Sequence, residues 1–223
     1  LQNIANNFGG TVGFTGNNVA ITDSKPLVLA SSSATGTLNL DINGSITQTG
    51  GLIVGGNTTL TGCDIILHDP ANIFSGTVGF TGINVSLTDS TALSLAASTA
   101  TGNVILNSGA ALTQTGSLSV NGTTNINATR FDISLTNTTN SLTGAVVFTG
   151  ANVSLTNNRA TLLGTSSASA TLSVSASGAI TQNGALSTGG NASFTGTDIT
   201  LQNTGNTFGG TVGFTGNNVA LFD

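Results

Sequence analysis

Apolar and polar residues alternate in short runs along the whole chain, and Gly, Asn, Asp or Ser fill the gaps between the runs. The run Leu38-Asn39-Leu40-Asp41-Ile42 is typical. A period of two places one face of a β-strand in the core and the other in water. No stretch keeps the 3.6-residue period of an amphipathic helix. The pattern therefore predicts an all-β protein made of short strands and tight turns.

A nine-residue phrase occurs four times, starting at Phe8, Phe74, Leu142 and Phe208, and its fourth copy is identical to its first. Successive start positions differ by 66, 68 and 66. A period that is kept over the whole chain indicates repeated structural units rather than one globular core. We therefore expect one repeat domain that is a fragment of a longer chain. Its expected extent is 1–223, with units at about 10–75, 76–143 and 144–209 and partial units at 1–9 and 210–223.

The first unit contains nine strand-like segments. They are Thr11–Thr15, Val19–Asp23, Leu27–Ala30, Thr37–Ile42, Ser45–Thr49, Leu52–Val54, Thr58–Thr61, Asp64–His68 and a ninth around Ile73-Phe74. Nine strands per unit divide into three coils of three strands, each coil taking about a third of the repeat, or roughly 22 residues. About ten coils stacked at ~4.8 Å form a rod roughly 48 Å long.

This arithmetic predicts a parallel β-solenoid, in which each coil buries the face of its neighbour. A sandwich of antiparallel hairpins is the competing architecture, but it does not explain a near-constant period without linkers. In the solenoid, the repeated phenylalanines should occupy equivalent buried positions. They are Phe14, Phe80, Phe148 and Phe214.

Two more phrases locate one irregularity. Ile46-Thr47-Gln48-Thr49-Gly50 recurs from Leu112 and from Ile180, and Asp64-Ile65-Ile66-Leu67 recurs from Asp132 and from Asp198. The Asp of the second phrase lies 14 positions after the Gly of the first phrase in units one and three, and 16 positions after it in unit two. The extra residues lie near Ala128–Phe131. Because solenoids expel insertions as bulges, we expect this segment to bulge outward without disturbing the register on either side.

In this order and at this period, the phrases resemble the repeat region of filamentous-haemagglutinin-like exoproteins, the large adhesins of bacterial two-partner secretion. The resemblance covers the whole chain and rests on residues 198–212, on the Ile-Thr-Gln-Thr-Gly phrase and on Gly36-Thr-Leu-Asn-Leu. It implies a right-handed parallel β-helix that is exported through an outer-membrane pore partner to the extracellular face of a bacterium. The family's N-terminal secretion domain is not in this sequence, so the export route is implied by the resemblance alone.

Composition narrows the possible partners. Only 5% of the residues are charged, the net charge is -5, and the basic residues are Lys25, Arg130 and Arg159. Nucleic acids and anionic membrane surfaces are bound by clustered Lys and Arg, which this chain lacks. No apolar run reaches the roughly 18 residues of a membrane span. We expect no nucleic-acid partner and no membrane insertion.

Catalysis needs groups that converge, and the sequence offers few. The single cysteine, Cys63, and the single histidine, His68, occupy positions that hold other residue types in the other units. The closest acidic set for polysaccharide cleavage is Asp41, Asp64 and Asp69, and the chain has no Glu. We predict a non-enzymatic protein with no catalytic and no cofactor-binding residues.

A repeated acid suggests metal binding at first sight. Asp23, Asp89 and Asp223 are equivalent, and Asn157 stands at the same point of the third unit. Three coils separate neighbouring copies by about 14 Å, whereas Ca²⁺ needs its ligands at about 2.3–2.6 Å. We therefore predict that these side chains cap turns, and that the chain has no metal site and no cofactor.

The repeated asparagines before Val, which are Asn18, Asn84, Asn152 and Asn218, should mark one turn rather than a binding row. Ranked threonines on a flat solenoid can bind ice or crystal surfaces. Here the Thr47/Thr49 pair and its equivalent Thr113/Thr115 occur only once per unit, so a continuous lattice is not predicted.

These observations favour a structural function, as the stiff shaft of an extracellular adhesin or surface fibre that attaches to a host or neighbouring-cell surface. The alternative is a self-assembling matrix filament, and an ice-binding or polysaccharide-binding solenoid is less favoured. Residues 1–23 and 201–223 are identical at 18 of 23 positions. Because neither end carries a capping unit, we expect either that the natural chain continues in both directions or that rods stack end to end. In both cases this segment should associate axially through backbone pairing.

Overall fold

The computed structural model describes residues 1–223 and contains 33 short strands and no helix. The first eleven are β1 (Thr11–Val12), β2 (Thr15–Gly16), β3 (Val19–Asp23), β4 (Leu27–Leu29), β5 (Ser32–Ala34), β6 (Leu38–Ile42), β7 (Ile46–Gln48), β8 (Leu52–Val54), β9 (Thr58–Thr61), β10 (Ile65–Leu67) and β11 (Ile73–Phe74). The next ten are β12 (Thr77–Gly82), β13 (Val85–Asp89), β14 (Leu93–Leu95), β15 (Ser98–Ala100), β16 (Val104–Ser108), β17 (Leu112–Gln114), β18 (Leu118–Val120), β19 (Thr124–Asn127), β20 (Ile133–Leu135) and β21 (Ser141–Leu142). The last twelve are β22 (Ala145–Gly150), β23 (Val153–Asn157), β24 (Thr161–Leu163), β25 (Ser166–Ala168), β26 (Leu172–Ala176), β27 (Ile180–Gln182), β28 (Leu186–Thr188), β29 (Ala192–Thr195), β30 (Asp198–Leu201), β31 (Thr207–Phe208), β32 (Val212–Thr215) and β33 (Asn218–Leu221).

All strand pairs are parallel, and a strand in the interior of a sheet or ladder pairs with the strand one turn before it and with the strand one turn after it. Paired residues lie between 17 positions apart, as in Val78 and Leu95, and 22 positions apart, as in Thr124 and Val146. The predicted parallel β-solenoid is thus confirmed, with about 11 turns. At a strand spacing of ~4.8 Å the rod is roughly 53 Å long. The right-handed winding implied by the resemblance stays a prediction.

Each turn is shorter than the predicted third of a repeat, because one repeat contains about three and a half turns instead of three. β3 and its equivalent two repeats later, β23, are joined by seven pairing steps through β6, β9, β12, β14, β17 and β20. β3 begins at Val19 and β23 begins at Val153, 134 positions later, so that one turn advances the chain by about 19 positions (134/7). One repeat therefore makes about three and a half turns (7/2), and successive repeats are rotated by half a revolution.

Two large sheets face each other along the rod. Sheet 1 contains β1, β4, β7, β10, β13, β16, β19, β22, β24, β27, β30 and β33, and sheet 2 contains β3, β6, β9, β12, β14, β17, β20, β23, β26, β29 and β32. A short flank ladder closes each repeat, formed by β2-β5-β8-β11, then by β12-β15-β18-β21, then by β22-β25-β28-β31. The chain enters the first and third ladders from sheet 1 and the second ladder from sheet 2. Because the winding direction is constant, the ladders lie alternately on opposite sides of the rod.

Inward-facing side chains form one continuous core cluster of 46 buried residues. Phe80 and Phe148 are 2% and 1% exposed, as predicted, whereas Phe14 and Phe214 are only partly buried. The difference arises because the latter two lie in the first and last turns, which have a neighbour on one side only. The nine predicted strands omit β5, whose sequence Ser-Ser-Ala lacks the apolar alternation on which the prediction depends.

The predicted bulge is confirmed at residues 129–131 but not at Ala128. Thr129, Arg130 and Phe131 are exposed, and Arg130 has a φ of 72°, the only positive φ in the chain. Ala128 is fully buried and donates its N–H to the Thr149 carbonyl at 2.9 Å. The methyl group is small and apolar enough to continue the inward row of β19, so the chain leaves the stack only after it. The pairing of β20 with β23 beyond the loop is regular.

Candidate functional site: the repeat junction

The junction between repeats is the point at which the flank ladder changes sides. The first half of the six-residue strand β12 pairs with β14 and its second half pairs with β15. Between the two halves, the Phe80 N–H donates to Ser98 Oγ at 3.3 Å, and that hydroxyl donates to the Ala96 carbonyl at 2.9 Å. The hydroxyl therefore takes the place of a backbone acceptor at the point where β12 changes its pairing from β14 to β15. Ser32 and Ser166 make the equivalent bonds to the Phe14 and Phe148 N–H groups.

A pair of side-chain amides closes each junction. Asn72 and Gln48 donate to each other reciprocally, at 2.8 and 2.9 Å. The equivalent pairs are Gln114 with Asn140 and Gln182 with Asn206. Each Asn is at most 3% exposed. An amide carries both a donor and an acceptor, so two amides satisfy each other without charge.

Each of these asparagines also bonds backbone groups of neighbouring turns. Asn140 Oδ1 accepts the Leu118 N–H at 2.8 Å, and its Nδ2 donates to the carbonyls of Leu135 at 3.2 Å and Thr156 at 3.1 Å. In the turn before, the equivalent Ser98 N–H bonds a backbone carbonyl, that of Ser117. The side chain thus takes the place of a backbone carbonyl that has moved out of reach. The sequence predicts no role for these residues, although Gln48 lies in a repeated phrase.

The repeated Asp and Asn side chains cap equivalent points of the chain, which are the last strands of the flank ladders, β11, β21 and β31, and the segment before β1 that contains Phe8. Each accepts the N–H of the residue 15 positions earlier; the bonds are Asp23 to Phe8 at 3.3 Å, Asp89 to Phe74 at 3.4 Å, Asn157 to Leu142 at 3.0 Å and Asp223 to Phe208 at 3.0 Å. Asp23 and Asp89 also accept an N–H within their own turn, as predicted for turn caps. Burial raises the pKa of Asp89, and the hydrogen bonds from Thr91 and Phe74 oppose that rise.

The residues weighed for catalysis do not come together. Cys63 is exposed before β10 and His68 is exposed after it, so five extended residues, about 16 Å, separate them. Asp64 Oδ1 accepts both the N–H and Nδ2 of Asn84, and Asp69 caps its own turn. Asp41 is exposed on the outer face of sheet 2. No three His, Cys, Asp or Glu side chains lie close enough together to hold a metal ion.

The repeated asparagines before Val lie in equivalent turns, as predicted, and link successive turns. Asn18 Oδ1 accepts the Thr37 N–H at 3.0 Å, and Asn84 Oδ1 accepts the Asn103 N–H at 3.0 Å. Asn152 and Asn218 donate Nδ2 to the aspartate one turn before. Each of these side chains therefore forms a hydrogen bond with a neighbouring turn.

Fold and junction together define a parallel β-solenoid repeat protein whose polar side chains join turn to turn. The chain belongs to the family described as Repeats of unknown function (DUF5649), which matches residues 16–81, 82–149 and 150–215. The matched segments have the predicted lengths and begin six residues after the predicted units (16 against 10). Searches of curated proteins and of solved structures gave no match. The chain has no helix that could cross a membrane.

Proposed function

We propose that this chain is the stiff, non-enzymatic shaft of an extracellular bacterial adhesin or surface fibre. The observation that carries the proposal is the unbroken ladder of sheet 1, which runs from β1 to β33 over one continuous core. A rod in which every turn is bonded to its neighbours resists bending, because bending stretches backbone hydrogen bonds on one side. Such a shaft holds a binding region away from the cell or presents its own sides to a host or neighbouring cell.

The junctions support this function because they remove the weak points of a repeat array. A half-turn shift breaks the flank ladder at every repeat, and each break is closed by an amide pair, a serine and a capping Asp or Asn. Bending at the junctions is thereby opposed by the same type of bond that holds the turns.

Export through an outer-membrane pore to the cell surface is supported by the resemblance to two-partner secretion exoproteins. Pairing between positions only 17 to 22 apart in the chain also suits it. Each turn needs only the preceding turn as a template, so folding can proceed as the chain emerges.

Stiffness can be measured between two equivalent surface positions. Cys63 is an exposed free thiol, and Thr197, its equivalent two repeats later, is also exposed. Spin labels on Cys63 and on Thr197→Cys lie seven turns apart on the same side, at about 34 Å. The shaft predicts one narrow distance distribution at that value. A broad distribution, or one that narrows only in concentrated samples, would contradict the shaft and favour the matrix filament.

Attachment can be tested by displaying a peptide tag at the tip of the chain on a bacterial surface. Each repeat removed lowers the tag by three and a half turns, about 17 Å. Capture of beads that carry the tag receptor should therefore fall stepwise as repeats are removed. Replacing the third repeat by a second copy of the first keeps both length and flank side, so capture should stay unchanged. Capture that ignores repeat number would refute the proposal.

A further inference from the structure

The cap of β11 is an aspartate, Asp89, whereas its counterpart one repeat later is an asparagine, Asn157. Asn157 Oδ1 accepts the Leu142 N–H, and its Nδ2 donates to the Leu142 carbonyl at 2.9 Å. Asp89 Oδ1 accepts the Phe74 N–H in the same way, but its Oδ2 is fully buried and has no hydrogen-bond partner. Asp89 Oδ1 also accepts the N–H and the hydroxyl of Thr91, so all hydrogen bonds of this side chain are made by this one oxygen. Asp89 Oδ2 therefore occupies the position from which Asn157 Nδ2 donates to a carbonyl, but an ionised carboxylate oxygen has no proton to donate.

No cation faces Asp89 to stabilise a carboxylate. β16 offers its register partner Ser108, and β11 and β14 carry no titratable residue. β10, on the other side of β13, is followed by His68, which is exposed, and by Asp69, whose Oδ1 accepts the Ala71 N–H. A buried carboxylate without a cation or a donor for its second oxygen is costly, whereas the neutral acid supplies the missing donor itself.

We propose that Asp89 is the neutral carboxylic acid in the folded rod, with Oδ2–H donating to the Phe74 carbonyl, and that the opening equilibrium of the first repeat junction therefore increases as the pH rises. Burial acts in the same direction, because it raises the pKa of Asp89. A raised folded-state pKa gives stability that is complete below the pKa of the unfolded chain and is lost as the pH rises through the folded pKa. The loss is at most about tenfold in the opening equilibrium per pH unit for one proton.

Because Asn157 occupies in the third repeat the position that Asp89 occupies in the second, the two side chains can be exchanged in a reciprocal test. Hydrogen exchange at the Phe74 and Leu142 amides is measured in the full chain from about pH 3 to pH 8, which spans the ordinary aspartate pKa, and is corrected for the intrinsic rates. In the wild type, protection at Phe74 should fall with rising pH while protection at Leu142 stays constant. Asp89→Asn should make Phe74 behave like Leu142, and Asn157→Asp should give Leu142 the pH dependence of Phe74. Asp69→Asn should leave the wild-type profile unchanged.

Infrared spectroscopy gives an independent readout. A carbonyl band of a protonated carboxylic acid should persist above the ordinary aspartate pKa in the wild type and be absent in Asp89→Asn. The proposal is overturned if Asp89→Asn retains the pH dependence at Phe74, if Asp69→Asn abolishes it, or if the band is missing. If Asp89→Asn does not fold, the Asn157→Asp profile and the wild-type band decide the matter by the same criteria.

Discussion

Replacing Asn140 with alanine tests whether the amide pair holds the junction. The side chain is fully buried and makes bonds to Gln114, Leu118, Leu135 and Thr156. Alanine removes all of them at once and leaves the Leu118 N–H without its acceptor. Gln114 keeps its bond to the Gly116 carbonyl, so most of the loss falls on the backbone of β18, β20 and β23.

The expected cost follows from the groups that are left behind. An orphaned buried donor costs about 1–3 kcal/mol, and the two carbonyls, each with a second lone pair, add less. We therefore expect about 3 kcal/mol at the junction, which is roughly a 100-fold larger opening equilibrium. A solenoid is stabilised by nearest-neighbour terms, so the effect should remain local.

Hydrogen exchange resolved by residue measures this loss and supplies its own controls. Protection of the Leu118 amide should fall about 100-fold. The equivalent Leu52 and Leu186 amides, which bond the intact Asn72 and Asn206, should keep theirs. Asn125→Ala removes the same residue type at an exposed position without side-chain hydrogen bonds and should change nothing.

Two results would refute the reasoning. If Leu118 keeps its protection in Asn140→Ala, the side chain is dispensable and the backbone closes the junction unaided. If all three equivalent amides lose protection together, the rod unfolds as one unit, and the local description of its stability is wrong.

Three smaller changes are expected from the same structure. Thr188→Val should raise the free energy of unfolding in urea by about 1 kcal/mol, because the buried hydroxyl has no partner and the equivalent residues are Val54 and Val120. Arg130→Gly should raise it by about 1 kcal/mol, because glycine adopts the positive φ without strain. Deleting Thr129 and Arg130 together should change it by less than about 1 kcal/mol, since both lie in the exposed loop; a larger loss would show that the loop is part of the stack.

The sequence predicts the solenoid because strand alternation and a long-range period are both properties of residue order. The extra half turn in each repeat could not be predicted from the sequence. The length of the repeat does not reveal how many turns it contains, since that number depends on the short step at which β12 carries both β14 and β15. The step is possible because the Ser98 hydroxyl accepts the Phe80 N–H. In the sequence, nothing distinguishes Ser98 from the many other serines.

The amide pair was beyond sequence reasoning for the same reason. Gln48 and Asn72 are 24 residues apart, which is more than one turn, and their equivalents in the second repeat are 26 apart because of the insertion. Without the turn length, neither spacing identifies a contact. The capping role of Asp89 was accessible because a turn cap acts on its own neighbours, such as Thr91, but its bond to Phe74 again crosses a turn.

The half turn also determines what the surface can do. Any outward residue that recurs once per repeat appears alternately on opposite sides, and its copies on one side are seven turns, about 34 Å, apart. A ligand that lies along one side therefore meets alternating repeats and cannot use a dense row of identical residues. The loop around Arg130 occurs in one repeat only, so it lies on one side of the rod only. Features that recur in every repeat are therefore presented on both sides of the rod.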